Sequence, residues 1–243
     1  MSTKVIEVQN LVKRFGNFVA NDHLNFDVYE GEIFGFLGAN GAGKTTAIRI
    51  LCGLSSPTSG HAMVAGFNVK NQPERVKKNI GYMSQKFSLY EDLTISENIR
   101  FYSGIYGISR ADRIERERQL LRNLELEAER DKLISSLPLG WKQKLAFSIA
   151  IFHKPRIVFL DEPTGGVDPV TRRKFWELIY EAVHNGITVF VTTHYMDEAE
   201  YCDRVSIMTE GKIAALDTPA GLKQQFDTDT MDGVFLKIAR PDK

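Results

Sequence analysis

The chain has 243 residues, 43% hydrophobic and 26% charged, and its 31 Lys+Arg balance 31 Asp+Glu to a formal net charge of zero. That composition fits a soluble globular domain, and the missing basic excess argues against a general nucleic-acid binder. No apolar run approaches the roughly 20 residues that cross a bilayer, no signal-type apolar stretch opens the chain, and Cys52 and Cys202 lack metal-ligand spacing, so a cytoplasmic protein with a buried free thiol at Cys52 is expected.

Residues 5–8 and 24–28 alternate apolar and polar side chains and read as strands, with turn signals at 15–18 and 29–31. An antiparallel β layer therefore leads into residues 32–37, a short apolar run that reads as a buried strand. Next comes Gly38-Ala39-Asn40-Gly41-Ala42-Gly43-Lys44-Thr45-Thr46, which meets the phosphate-loop pattern G-x-x-x-x-G-K-[ST] at every fixed position. Residues 45–54 read as the helix that follows. Glycines let backbone N–H groups turn toward phosphate with no Cβ in the way. The helix N-terminus adds unpaired donors and a positive dipole end. Lys44 is placed for β- and γ-phosphates and the Thr45 hydroxyl for Mg²⁺. A chance glycine-rich turn would have no use for the lysine, the threonine and both flanking elements together.

A turn cluster fills 54–60, residues 61–69 hold a strand and a hairpin around Gly66, and 80–85 is a short strand ending on Gln85. From 86 to 153 the character is helical. Thr94 and Glu97 form a capping box, and Ile99, Tyr102, Ile105 and Tyr106 share one helical face. Residues 109–130 are dense in charge over a thin stripe of Ile114, Leu121 and Leu124, and the charges read as a solvated helix face. This block reads as a helical lobe inserted into an α/β core. The core resumes at 156–160, a buried strand running into Asp161-Glu162. Asp168-Pro169 opens a helix by cap and proline, which runs to about His184. Residues 187–191 form a buried strand ending near His194. Strands at 204–208 and 212–216 meet at a Glu210-Gly211 hairpin, and the tail from 226 carries a strand at 233–238. Acids at the end of a buried strand complete a nucleotide site: Asp161 holds Mg²⁺ through water, and Glu162 polarises the attacking water.

The order of these motifs resembles the ATPase subunit of an ATP-binding cassette (ABC) transporter over nearly the whole chain: the 38–46 loop, Gln85, a helical lobe, Leu160-Asp161-Glu162-Pro163-Thr164, Gly166-Val167-Asp168-Pro169, then Thr193-His194. The resemblance implies an α/β P-loop NTPase core with a mainly parallel sheet, an N-terminal antiparallel β layer and an inserted helical subdomain. Residues 1–85 and 154–225 would form the core, 86–153 the helical subdomain and 226–243 a short tail. It implies ATP and Mg²⁺ as cofactors, with Phe15 stacking on adenine, the alternative for Phe15 being a core position at a hairpin. Gln85 would reach Mg²⁺ and the attacking water and link the site to a membrane partner. His194 would contact the γ-phosphate, and Asp168 would communicate across a dimer. Two cassettes, identical or different, would close around two ATP molecules and pull on an integral-membrane permease from the inner face of the cell membrane. No nucleic-acid partner is implied.

One segment departs from the family. Leu137-Pro138-Leu139-Gly140-Trp141 stands where Leu-Ser-Gly-Gly-Gln is usual, and Lys142-Gln143-Lys144-Leu145-Ala146 resumes the pattern. In the family this signature binds the γ-phosphate held by the opposite subunit. Pro138 has neither hydroxyl nor N–H, and one lost hydrogen bond to a charged group costs about 1.5–3 kcal/mol. Leu139 adds bulk, while Gly140 and a helix N-terminus near Trp141 still favour an anion. The segment is either a weakened half-site beside a normal cassette or a variant that works with fewer contacts. The variant resembles bacterial type-2, multidrug-type export ATPases made beside a membrane-fusion adaptor. The permease surface would be the lobe and residues 86–97, with Phe87, Leu89 and Tyr90 as exposed anchors or, alternatively, as lobe core. Competing readings are an importer ATPase and a soluble cassette ATPase in translation, repair or cofactor assembly.

Overall fold

The computed structural model describes residues 3–85 and 88–239. In chain order the elements are β1 (Lys4–Phe15), β2 (Phe18–Tyr29), β3 (Ile33–Gly38), α1 (Lys44–Leu51), β4 (Ser59–Val64), β5 (Phe67–Asn68), α2 (Pro73–Asn79), β6 (Ile80–Met83), α3 (Ile95–Ile105), α4 (Arg110–Asn123), α5 (Leu139–Ala150), β7 (Ile157–Asp161), α6 (Pro169–His184), β8 (Thr188–Thr193), β9 (Arg204–Thr209), β10 (Lys212–Asp217), α7 (Pro219–Gln225) and α8 (Met231–Ala239). A 3₁₀ segment, Met196–Tyr201, lies between β8 and β9.

Two sheets organise them. β2-β1-β4-β5 is the antiparallel layer, and β10-β9-β3-β8-β7-β6 is the core sheet, parallel throughout except at the β9–β10 hairpin. Side chains alternate faces along each core strand, and the two faces differ in chemistry. Phe34, Phe36, Phe159 and Phe190 point toward α1 and the antiparallel layer, where Phe26 joins them. The ring centroids of Phe34, Phe36 and Phe159 lie 5.2–5.5 Å from that of Phe190, within the range of favourable aromatic packing. Ile33, Leu37, Val158, Leu160, Val189, Val191, Val205 and Ile207 point the other way, into one core shared with the helices. α1 is thus held between two sheets, and the loop before it cannot drift.

The lobe begins at the expected capping box: the Thr94 amide donates to Glu97 Oε2 at 2.9 Å, and the Glu97 amide to Thr94 Oγ1 at 3.2 Å. Buried Asn98 stitches the preceding loop, its amide group donating to the Tyr90 and Thr94 carbonyls and accepting from the Tyr90 N–H. The charge run on α4 is mostly solvated, with one exception. Glu117 is buried and paired with Arg130 at 3.1 Å, and it accepts from Ser96 Oγ at 2.7 Å. Ile105 and Ile114 are exposed, so the lobe's apolar stripes are narrower than their spacing suggests.

Three expectations change. The tail strand at 233–238 is helix α8: Met231, Val234, Phe235 and Ile238 recur at helical spacing and pack on the core. Helix α2 was not foreseen, although Pro73 opens it at the position proline favours. Finally, α5 starts at Leu139 rather than near Trp141, with Pro138 as its N-cap.

The lobe meets the core at His153. Its imidazole stacks on Tyr106 at 3.6 Å between centroids, and Nε2 donates to the Ile80 carbonyl at 3.0 Å. Burial lowers its pKa from the usual 6.5 to about 4, against the opposing pull of the Ile80 bond. Between those values the unfolded chain binds the proton and the folded chain does not, so this contribution is complete above the unfolded value and is lost as pH falls through the window. The urea midpoint of the wild type should therefore drop more steeply from pH 6.5 to about 4 than that of His153→Gln. A Cβ on Gly81 would run into the Ala150 carbonyl, whereas one on Gly104 meets open space. Gly81→Ala should cost about 1–3 kcal/mol in thermal denaturation, and Gly104→Ala should gain about 0.5–1 kcal/mol.

Candidate nucleotide site

Parallel register brings the expected residues to one edge of the core sheet. Leu37 of β3 lies beside Thr193 of β8, Thr192 beside Asp161 of β7, and Leu160 beside Met83 of β6. The 38–43 loop, Asp161-Glu162, His194 and Gln85 leave the sheet side by side as a consequence.

The loop has the backbone its sequence promises. Gly38, Gly41 and Gly43 have φ of 154°, 82° and 103°, in the region that side chains disfavour. Gly43 has a second reason to lack a Cβ, which would collide with the Ala20 carbonyl. α1 has no capping side chain and no acid in its first turn. Its first N–H groups are therefore open to an anion. Ala39, Asn40, Gly41 and Thr45 are exposed, Thr46 is half-buried, and Ala42 is packed inside. Lys44 is 4% exposed, with Nζ donating to the carbonyls of Gly38 at 2.7 Å and Ala39 at 3.2 Å.

Glu162 is the meeting point. Its Oε1 lies 3.4 Å from Lys44 Nζ, and its Oε2 accepts from Gln85 Nε2 at 2.9 Å and lies 3.2 Å from His194 Nδ1. The backbone turns sharply there, since Glu162 has φ +51°, an uncommon conformation for a residue with a Cβ. Beside it, Asp161 Oδ1 accepts from Thr192 Oγ1 at 2.8 Å and stands 3.4 Å from Thr45 Oγ1. Burial raises the Asp161 pKa, and the two threonine hydroxyls pull it back. Thr45 and Asp161 offer hard oxygens close enough to be neighbours around one small octahedral cation, the donor type Mg²⁺ selects. Among the described residues no cluster of three or more His, Cys, Asp or Glu could hold a metal. A Mg²⁺ at this point would therefore share phosphate oxygens and water with these two residues.

Phe15 is 55% exposed at the β1–β2 turn, with the Lys13 ammonium 5.0 Å from its ring centroid. The core alternative for Phe15 falls away. Asp168 caps α6, accepting from the Val170 and Thr171 amides at 3.0 Å and from Thr171 Oγ1 at 2.6 Å. These bonds, the Thr171 hydroxyl first, hold its carboxyl below the usual range. The variant segment lies apart from the 38–46 loop. Pro138, Leu139, Gly140 and Trp141 share a surface hollow of about 380 Å³ with Asp168, Lys144 and Lys174. Leu137 is buried, Leu139 is 46% exposed, and the Lys144 ammonium sits 5.1 Å from the Trp141 ring centroid. Of the proposed permease anchors, Tyr90 is 46% exposed and packs edge-on against Phe101, Leu89 is buried in the lobe core, and Phe87 lies outside the described residues.

Two contributors were not singled out from sequence. Thr192 is fully buried, and its one hydroxyl both donates to Asp161 and accepts from the Glu162 amide at 3.0 Å. The paired threonines Thr192-Thr193 closing a strand that is buried along its whole length were the available signal. Asn21, fully buried, donates through Nδ2 to the Gly43 carbonyl at 3.1 Å and so braces the loop from β2.

A profile for the family described as ABC transporter matches residues 21–165. The "Probable multidrug ABC transporter ATP-binding protein YbhF" of Escherichia coli (strain K12) is 48% identical over 96% of this chain, which spans 41% of that relative's length. A solved ATP-binding subunit of an ABC transporter superposes with a TM-score of 0.88 at 29% identity, covering 97% of this chain and 99% of that one. A dimeric ATP-binding cassette solved in a post-hydrolysis state with ADP and Pi superposes with a TM-score of 0.79 at 26% identity, covering 88% and 98%. Thr192→Val keeps shape and removes the shared hydroxyl, leaving a buried carboxylate short of a donor. It should cost about 1–3 kcal/mol in a urea titration and lower any nucleotide hydrolysis in a phosphate-release assay.

Proposed function

Since the chain belongs to the ABC transporter family, we propose that it binds and hydrolyses ATP to drive export through a separate membrane permease, as one of two cassettes that close around two ATP molecules. The observation that supports hydrolysis most directly is the convergence of Lys44, Gln85 and His194 on the Glu162 carboxylate. Phosphoryl transfer to water needs positioning and charge neutralisation more than covalent help. The loop amides and the α1 N-terminus bind the β- and γ-phosphates. The Lys44 donors turn from two neutral carbonyls to phosphate oxygens, which bear full charge and bind them more strongly. Glu162 accepts a proton from the attacking water, Gln85 orients that water, and His194 meets the γ-phosphate. Thr45 and Asp161 would hold Mg²⁺, which neutralises phosphate charge when bound. Phe15, exposed beside Lys13, offers its face to adenine.

Dimerisation is supported by the layout. The hollow around Pro138–Trp141 and Asp168 shares no residue with the phosphate loop, so its partner nucleotide belongs to a second cassette, identical or not. Export is supported by the multidrug relative. No helix among the described residues is long and apolar enough to cross a membrane, so the span belongs to another polypeptide or segment. A membrane-fusion adaptor fits the same reading. Exposed Tyr90 and Phe101 on the lobe are the surface offered to the permease at the inner face of the membrane.

Glu162→Gln should retain ATP binding and accumulate an ATP-bound dimer in size-exclusion chromatography. Undiminished phosphate release by that variant would remove Glu162 from the role of base. Pro138→Ser with Leu139→Gly restores a hydroxyl and an open backbone across the interface. It should raise ATP-driven dimerisation or turnover by about tenfold to a hundredfold, what one recovered charge-assisted hydrogen bond of about 1.5–3 kcal/mol supplies; if neither changes in a folded variant, the segment is not a weakened half-site.

A further inference from the structure

Behind the Glu162–His194 pair lies a charged cluster built on the buried Glu198 that the chemistry above does not use. Thr164, two residues after Glu162, is 1% exposed, and its hydroxyl donates to Glu198 Oε1 at 2.6 Å. Glu198, four residues after His194 on the 3₁₀ segment, is fully buried. Its charge partner is Arg172 of α6, whose Nε lies 3.7 Å from the same oxygen. Arg172 also reaches Asp197 Oδ2 at 3.3 Å through Nη1 and lays its guanidinium 3.9 Å from the centroid of the Tyr195 ring. The Tyr195 ring in turn lies 4.2 Å from the His194 ring. Contacts therefore run from Thr164 through Glu198, Arg172 and Tyr195 to His194, and His194 closes the circuit on Glu162 at 3.2 Å.

Stability alone is a poor reason for this arrangement. A buried ion pair seldom stabilises more than well-packed apolar residues would, and here Glu198 Oε2 and Arg172 Nε have no hydrogen-bond partner among the described residues. What the charges do supply is geometry. Arginine is planar and forked, so it can stack on a ring and pair with two carboxylates at once, which lysine cannot. We propose that Arg172 and Glu198 act as a positioning clamp: by tying the loop after Glu162 to the segment after His194, they set the spacing of the two hydrolytic side chains without touching nucleotide. The clamp rests on the reading of Glu162 and His194 as hydrolytic residues.

The test compares ATP binding and steady-state hydrolysis of the full protein with those of Arg172→Met/Glu198→Gln, Arg172→Lys and Glu162→Gln. The double variant leaves no buried charge unpaired. It should fold, keep its ATP affinity and KM, and lose kcat by about tenfold to a hundredfold, the scale of an ångström-level misplacement. Arg172→Lys keeps the charge without the fork and should show a smaller loss of the same kind; it decides the question if the double variant does not fold. Wild-type kcat in either folded variant, or a fall in ATP affinity that accounts for the fall in rate, would overturn the clamp. Inactive Glu162→Gln beside a fully active clamp variant sinks the clamp alone. Active Glu162→Gln sinks the hydrolytic reading and the clamp with it.

Discussion

Parallel pairing of β3, β8 and β7 is the constraint on which the site depends. Parallel strands point their C-terminal ends the same way, so whatever follows each one emerges at the same edge. Here those followers are a phosphate loop, an acid pair and a threonine–histidine step, and β6 adds the glutamine. None of these segments is near another in sequence. The sheet can hold that register because both faces are buried, by phenylalanines toward α1 and by aliphatic side chains toward the helices. A one-residue slip in β3, β7 or β8 would exchange its aromatic and aliphatic faces and move a site residue out of reach.

Burial also explains the electrostatics of the site. Lys44, Asp161 and Glu162 sit in a cluster that water barely reaches. Unpaired charges would be costly there, so each has its donors or acceptors placed by the protein: carbonyls for Lys44, Thr192 and Thr45 for Asp161, Gln85 for Glu162. On the proposed function these contacts would preorganise the site, because the same groups that satisfy the cluster would meet phosphate, cation and water.

Much of this was legible in the sequence because each signal was local. The loop, the Thr94 capping box, the Asp168-Pro169 helix start and the core strands are short patterns with short-range causes. The misses share a different cause. Residues 233–238 mix apolar and polar side chains in a way that suits either period, and contact with the core settles them as α8. Leu89 looked like a free anchor because sequence does not show that Asn98 folds its loop back onto the lobe. Thr192, Asn21 and the Arg172–Glu198 pair act across gaps of more than twenty residues, and no local pattern marks such partners.

The variant segment shows how a departure in sequence can respect a fold. Its positions divide by what they face. Where it keeps to the family pattern, the interior requires it: a Cβ at Gly140 would press on Thr171 Cγ2 at 2.6 Å, and buried Gln143 donates to the Gly165 carbonyl at 3.0 Å. Gly140 therefore serves the close approach of α5 to α6, whatever it does for a nucleotide. Pro138 and Leu139, which depart, are both exposed, while Trp141, the third departure, is half-buried and packs against the core. Proline is at ease there as well, since an N-cap position makes no demand on its missing N–H. The changes at Pro138 and Leu139 thus leave the helix start and the α5–α6 contact in place, and alter the exposed surface. Any consequence they have must be read at that surface.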